Sequence, residues 1–159
     1  MQLRSLRDAD IDALESFDLG DGSEVWLREV REIVAGLHSW AHSADAVPLD
    51  RQVVVLTDHD DIVGVAAHEA IHSDSGQVFR EHRYLMVVAI AARRQRGGLA
   101  ALLTTSVLEH LRASGTNTVT WLVHPRNHAS IAFSRRAFPE ADETYPPEDK
   151  PYVSFTLNL

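Results

Sequence analysis

The stretch from Leu85 to Leu103, LMVVAIAARRQRGGLAALL, constrains this chain more than any other. An apolar, partly β-branched run ends near Ala91. Arg93, Arg94, Gln95 and Arg96 follow, then Gly97 and Gly98, then apolar residues at helical spacing. That order predicts a strand, a tight basic turn and the start of a helix. A helix start leaves backbone N–H groups without acceptors and adds the positive end of the helix dipole. Such a turn is a seat for a phosphate, although a merely solvated strand-to-helix turn has the same composition.

The remaining pattern fits around this unit. Strands are expected over Gln2 to Leu6, Gln52 to Thr57, Ile62 to Ile71, Arg83 to Ala91, Asn117 to Val123, Glu140 to Tyr145 and Tyr152 to Leu157. Asp58 to Asp61 reads as the turn of a hairpin. Helices are expected over Asp8 to Phe17, Ser23 to Trp40 with Ser23 as N-cap, Leu99 to Leu111 before Gly115, and Asn127 to Ala137. Trp26 and Trp40 read as core. There is no repeat, linker or low-complexity segment. With 159 residues, 45% of them hydrophobic, one α+β domain over 1–159 is the economical reading.

Composition excludes several chemistries. The chain has no cysteine, so disulfides, thiolate metal sites and a cysteine nucleophile are ruled out. A net charge of −8 argues against nucleic acid as the main partner. No run approaches the roughly 18 apolar residues of a membrane span. The N-terminus turns acidic at once, unlike a signal peptide, and a cytoplasmic location is the expectation.

At this point a family resemblance becomes specific. IAARRQRGGLA is similar to the acyl-CoA loop of GCN5-related N-acetyltransferases: Gln or Arg, two residues, Gly, one residue, Gly or Ala. Here these are Gln95, Gly98 and Ala100, with Ile90 at the usual end of the fourth strand. The block WLVHPRNHASIAFSRRAF resembles the family's next element, a strand followed by Asn127 and a helix. The resemblance implies a single mixed, mostly antiparallel β-sheet with helices on both faces. It implies acetyl-CoA as co-substrate, a primary amine as acceptor, no resident metal and, commonly for the family, a homodimer. The implied CoA-binding residues are Val88, Ala89 and Ile90 on the strand, Gln95, Arg96, Gly97, Gly98, Leu99, Ala100 and Ala101 on the loop, and Asn127 for the pantetheine arm. Glycines let backbone approach the pyrophosphate, and Arg93, Arg94 and Arg96 add charge.

The implied reaction is direct attack of an amine on the thioester, with no covalent enzyme intermediate. A base is required, and His124, Glu69 and His82 are candidates. Backbone N–H groups of Val88 to Ile90 would polarise the carbonyl. Where the family often has a tyrosine acid, this chain has Ser134, a poor proton donor. Either Ser134 hydrogen-bonds the sulfur, or Tyr145 or Tyr84 substitutes, or no acid is needed. The alternative reading of a chain lacking the acid is a binding module that holds acyl-CoA without transfer. The acidic residues Asp8, Asp10, Asp12, Glu15, Asp18, Asp21 and Glu24 would suit a cationic acceptor, or simply form a solvated face.

One rival motif remains. His68-Glu69-Ala70-Ile71-His72 is HExxH, the signature of zinc peptidases, in which two histidines share a helix face. The flanking residues predict a strand, on which His68 and His72 would stand ~13 Å apart with Glu69 on the other face. His38 and His42 share the spacing near a helix end, but two histidines alone do not make a site.

Overall fold

The computed structural model describes residues 1–145 and 152–159. Seven strands form one sheet: β1 (Gln2–Ser5), β2 (Gln52–Asp58), β3 (Asp61–His72), β4 (Val78–Ile90), β5 (Thr118–Val123), β6 (Asp142–Thr144) and β7 (Val153–Asn158). Their spatial order is β1-β2-β3-β4-β5-β7-β6. Neighbours are antiparallel except β4 and β5, which run parallel. The crossover between those two carries α3 (Leu99–Ala113), as a parallel pair requires. The other helices are α1 (Ile11–Glu15), α2 (Val25–Ala41) and α4 (His128–Ala137).

Each sheet face buries its own core. On one face Leu103, Val107 and Leu111 of α3 and Ile131 of α4 pack on Leu85, Val119, Trp121 and Phe155. On the other, Leu14 of α1 and Leu27, Val34 and Leu37 of α2 pack on Val53, Val55, Val65, Val87 and Ala89. Strands covered on both faces read as continuous apolar runs, which is why IVGVAA in β3 lacks alternation. Gly64 sits where that packing is tightest. A Cβ there would lie 2.9 Å from Ile90 Cδ1 and 3.2 Å from Leu103 Cδ2.

The observed elements match the expected ones with four corrections. The first helix opens as a 3-10 turn over Asp8–Asp10 and is α-helical only from Ile11 to Glu15. Asp10 is drawn inward there, accepting from Arg4 at 2.6 and 2.7 Å and from the Arg7 N–H at 2.8 Å. Ser23 is not a cap; Glu24 holds that position without a side-chain bond. The fourth strand begins at Val78 rather than Arg83, because residues 80–82 bulge out between the pairs Ile71↔Phe79 and Ala70↔Arg83. That bulge hides any periodicity. The sixth strand spans only Asp142–Thr144.

A polar network lies inside the sheet. Arg83 donates to Asp50 Oδ2 at 2.7 Å, to the Asp50 carbonyl at 2.8 Å and to His68 Nδ1 at 2.8 Å. Arg83 and His68 are buried, and His68 Nε2 and Arg83 Nε find no hydrogen-bond partner among the described residues. Burial first, then the Arg83 charge, pushes the His68 imidazole from 6.5 down to about 3.

Two outcomes are expected. Gly64→Val should destabilise the fold by about 1–3 kcal/mol in urea denaturation, as overpacked cores do. The folded His68 stays neutral between about 3 and 6.5, a range in which the unfolded chain takes up a proton. Its contribution is therefore intact above the unfolded value and is lost progressively as pH falls through this window. His68→Gln keeps an acceptor for Arg83 but does not titrate. Denaturation measured across that range should show a shallower acid slope for the variant.

Candidate active site

The site begins where β4 and β5 part. Their pairing covers only His82–Leu85 against Thr118–Trp121. At the next residue β4 carries a bulge: Leu85 faces His68 and Val87 faces Ala67, so Met86 has no partner on β3. A bulge bends its strand and increases the twist. β4 then runs on to Ile90 and β5 to Val123 without pairing to each other. The two strands open a wedge edged by unpaired backbone.

The orientation of that edge follows from the ladder. Ala91 N–H donates to Val63 O at 3.0 Å. Backbone groups alternate sides along a strand, so Ala89 and Val87 also face β3 while Val88 and Ile90 face the wedge. The three strand residues singled out from the sequence therefore divide. Val88 and Ile90 present main-chain groups to the opening, and the Ala89 amide belongs to the ladder.

Beyond Ile90 the chain forms a nest of donors. The backbone N–H groups from Arg96 through Ala101 have no acceptor among the described residues, and the first helical bond of α3 is Leu102 N–H to Gly98 O at 3.1 Å. Gly98 is left-handed at φ 76° and Arg96 at φ 65°. The glycine adopts this at no steric cost. Gln95 donates from Nε2 to Ile90 O at 3.1 Å, so its side chain ties the loop to the strand end. The arginines also divide. Arg93 pairs with Asp61 at 2.8 Å and Arg94 with Asp58 at 2.7 Å, both acids lying at the β2–β3 turn. Arg96 alone of the three has no ion pair among the described residues.

The loop between α1 and α2 is fastened beside this nest. Ala92 N–H donates to Asp18 O at 2.8 Å, and Arg31 donates to the carbonyls of Gly20 and Gly22. At the start of α2 a cavity of about 360 Å³ is lined by Glu24, Val25, Trp26, His124, Pro125 and Arg126. Tyr152, just before β7, packs edge-on against His124 at 5.9 Å and donates to Glu29 Oε2 at 3.1 Å. Burial, then the bond to Glu29, raises the Tyr152 phenol above its ordinary range. Tyr84 is raised too, by burial first and then by the charges of Glu69 and Tyr152.

The candidate catalytic residues fare unequally. His124 does line the cavity, but its Nδ1 accepts the Arg126 N–H at 3.1 Å. The neutral ring therefore carries its proton on Nε2 and offers a donor there rather than a base. Glu69 is outside the cavity, half-buried against Arg51 Nε at 2.8 Å. Ser134 is 3% exposed and accepts from Trp121 Nε1 at 3.0 Å. It is a core hydrogen-bond partner, and the geometry does not support a role as acid. Tyr145 is exposed and accepts from Arg135. His82 is exposed on the bulged part of β4. Asn127 accepts the Ser130 N–H at 3.1 Å as the cap of α4, leaving its amide nitrogen free to donate toward a ligand.

The HExxH residues lie on β3, not on a helix. His68 is buried against the Arg83 guanidinium, Glu69 bonds Arg51 and His72 is exposed. They cannot share one ion. Tyr152 and Glu29 escaped the sequence reading because their contact spans 123 positions. Trp26 packs against the α2 core but also borders the cavity.

Ser134→Ala tests the structural assignment. It should cost about 1 kcal/mol of stability and change the fluorescence of Trp121, which loses its partner.

A family model described as the Acetyltransferase (GNAT) family matches residues 11–138. No curated protein is significantly similar in sequence. Among solved structures, the GNAT domain of PAT from S. lividans superposes with a TM-score of 0.74 at 17% identity, over 99% of this chain and 89% of that one. Ribosomal-protein-alanine N-acetyltransferase from Brucella melitensis superposes with a TM-score of 0.71 at 19% identity over the whole of both chains. PaiA N-acetyltransferase from Thermoplasma acidophilum, in complex with coenzyme A, gives 0.72 at 12% identity over 99% of this chain and 98% of that one. The family match covers α1 through α4, with the parted strands and the donor nest inside it, and this chain belongs to the GNAT acetyltransferase family.

Proposed function

We propose that the chain transfers an acetyl group from acetyl-CoA to a primary amine by direct attack. The observation that carries this reading is the continuity of the wedge with the nest of six unpaired N–H groups at residues 96–101. An extended amide-bearing arm can pair with the strand edge as an added strand does. A pyrophosphate at its end then meets the nest. Val88 and Ile90 N–H groups are the donors available to the thioester oxygen, and Asn127, just past the end of β5, offers its amide nitrogen to the arm in this reading. The relative from T. acidophilum is in complex with coenzyme A, which supports this assignment of the donor.

The acceptor enters from the cavity at the start of α2. Glu24 borders it, and Glu29 is bonded to Tyr152, whose ring packs against the cavity-lining His124. Two carboxylates favour an acceptor that arrives as an ammonium ion. In this reading Glu29 takes the ammonium proton, and Tyr152 holds that carboxylate in place. The free amine forms a bond to the thioester carbon, the C–S bond breaks, and the thiolate leaves with the electron pair. The nitrogen gives its second proton to water, and water returns one to the thiolate, since Ser134 is withdrawn into the core. The B. melitensis relative is named for acting on a protein alanine, and a peptide N-terminus is one amine that fits.

Thiol release from acetyl-CoA over a panel of diamines, aminoglycosides and peptide N-termini tests the reading. Release with at least one cationic amine is expected. Glu29→Gln should lower kcat by roughly 100-fold or more, as loss of a general base does, with KM for acetyl-CoA unchanged. Gly98→Ala meets a left-handed backbone and should raise KM for acetyl-CoA about tenfold, the equivalent of 1–2 kcal/mol. Calorimetric binding of acetyl-CoA without release on any amine would favour a binding module. No binding would overturn both.

A further inference from the structure

We propose that Asp8, His38 and His42 form a site for one divalent transition-metal ion, of which zinc is the representative. The three come from two elements. His38 and His42 lie one turn apart at the C-terminal end of α2, and Asp8 opens the 3-10 turn ahead of α1. One ligand atom from each lies within 4.8 Å of the other two. Asp8 Oδ1 is 3.1 Å from His38 Nε2 and 3.9 Å from His42 Nε2. The imidazole rings stack with centroids 4.3 Å apart.

Those spacings suit a shared ion. Ligands about 2.0–2.1 Å from a tetrahedral metal stand roughly 3.3 Å from one another, so side-chain adjustments of under about 1 Å complete the set. The tautomer of His42 is already that of a ligand. Its Nδ1 lies 2.8 Å from the carbonyl oxygen of His38. A carbonyl only accepts, so Nδ1 carries the proton and Nε2 keeps its lone pair. Metal-bound histidines are commonly held in this way by the second ring nitrogen. A helix C-terminus also favours a cation. The Asp8 side chain is 87% exposed and that of His42 is 55% exposed, so an ion reaches them from solvent and a water can fill the fourth position. Two imidazoles and one carboxylate select zinc, nickel, copper or cobalt over magnesium or calcium.

Position fixes the role. α2 has 17 residues and is therefore about 25 Å long. The cavity at Val25 lies at its other end. An ion at His42 is far from the chemistry and joins the start of the α1 segment to the end of α2. It acts as a clamp on the pair of helices whose connecting loop borders the cavity. This role does not depend on the identity of the acceptor.

The experiment is zinc titration of metal-stripped protein by calorimetry, with thermal unfolding at each zinc level and cobalt absorption spectra in parallel. Uptake of one ion per chain is expected, with a rise in Tm that grows with free zinc and visible cobalt bands of a four-coordinate site. In the doubly substituted His38→Gln, His42→Gln protein, saturable uptake and the Tm shift should both be lost. Asp8→Asn, at an exposed position that does not disturb the core, should weaken zinc binding at least tenfold while leaving the metal-free Tm unchanged. No uptake by the wild-type chain, or uptake unaltered in the double variant, would overturn the proposal.

Discussion

The arrangement rests on one backbone irregularity, the bulge at Met86. From Arg83 to Leu85 β4 is paired on both sides; after it, only β3 remains a partner. One extra residue in β4 re-aims the strand, and β5 does not follow. A buried sheet interior does not ordinarily leave main-chain groups unpaired, because each costs the desolvation of a polar group. Here the fold accepts that cost at a place open to a ligand. The unpaired edge leads along β4 into the donor nest at residues 96–101, and β5 leads past Val123 to the cap residue Asn127.

The two cores hold that opening at a constant shape. α3 and α4 grip the β5 side through Trp121, Phe138 and Phe155, whose rings meet at 5.5 and 5.6 Å. α1 and α2 grip the β4 side through Val87 and Ala89. Ser134 belongs to the first set. Once its hydroxyl satisfies the Trp121 indole, it contributes to the rigidity of the wall rather than to proton traffic. The α1–α2 loop is joined to the end of β4 through Asp18 and Ala92, so the cavity at the start of α2 and the donor nest share one fastening point.

What the sequence revealed follows the range of each interaction. The strand, basic turn and helix at Leu85–Leu103 were legible because turn chemistry and helix starts are local. The helix start at Asn127 was legible for the same reason. The Met86 bulge was not, since a register shift depends on the partner strand. Nor was the partnership of Tyr152 with Glu29, or of Ser134 with Trp121, because neither is periodic or local. The HExxH motif misleads in the opposite direction. Its spacing has meaning only on a helix, and burial on both faces made β3 a strand, on which the neighbours His68 and Glu69 point to opposite faces of the sheet.

The ion pairs of Arg93 with Asp61 and of Arg94 with Asp58 carry a consequence for encounter kinetics. They cancel most of the positive charge that the loop shows on paper, within a chain of net charge −8. A polyanion approaching from bulk solvent meets little attraction until it is within reach of the backbone dipoles, which act only over the first turn of a helix. In the proposed role, capture of a phosphate-bearing donor at this loop is thus governed by short-range fit. Its association rate should lie in the ordinary range for unsteered encounters and respond weakly to ionic strength.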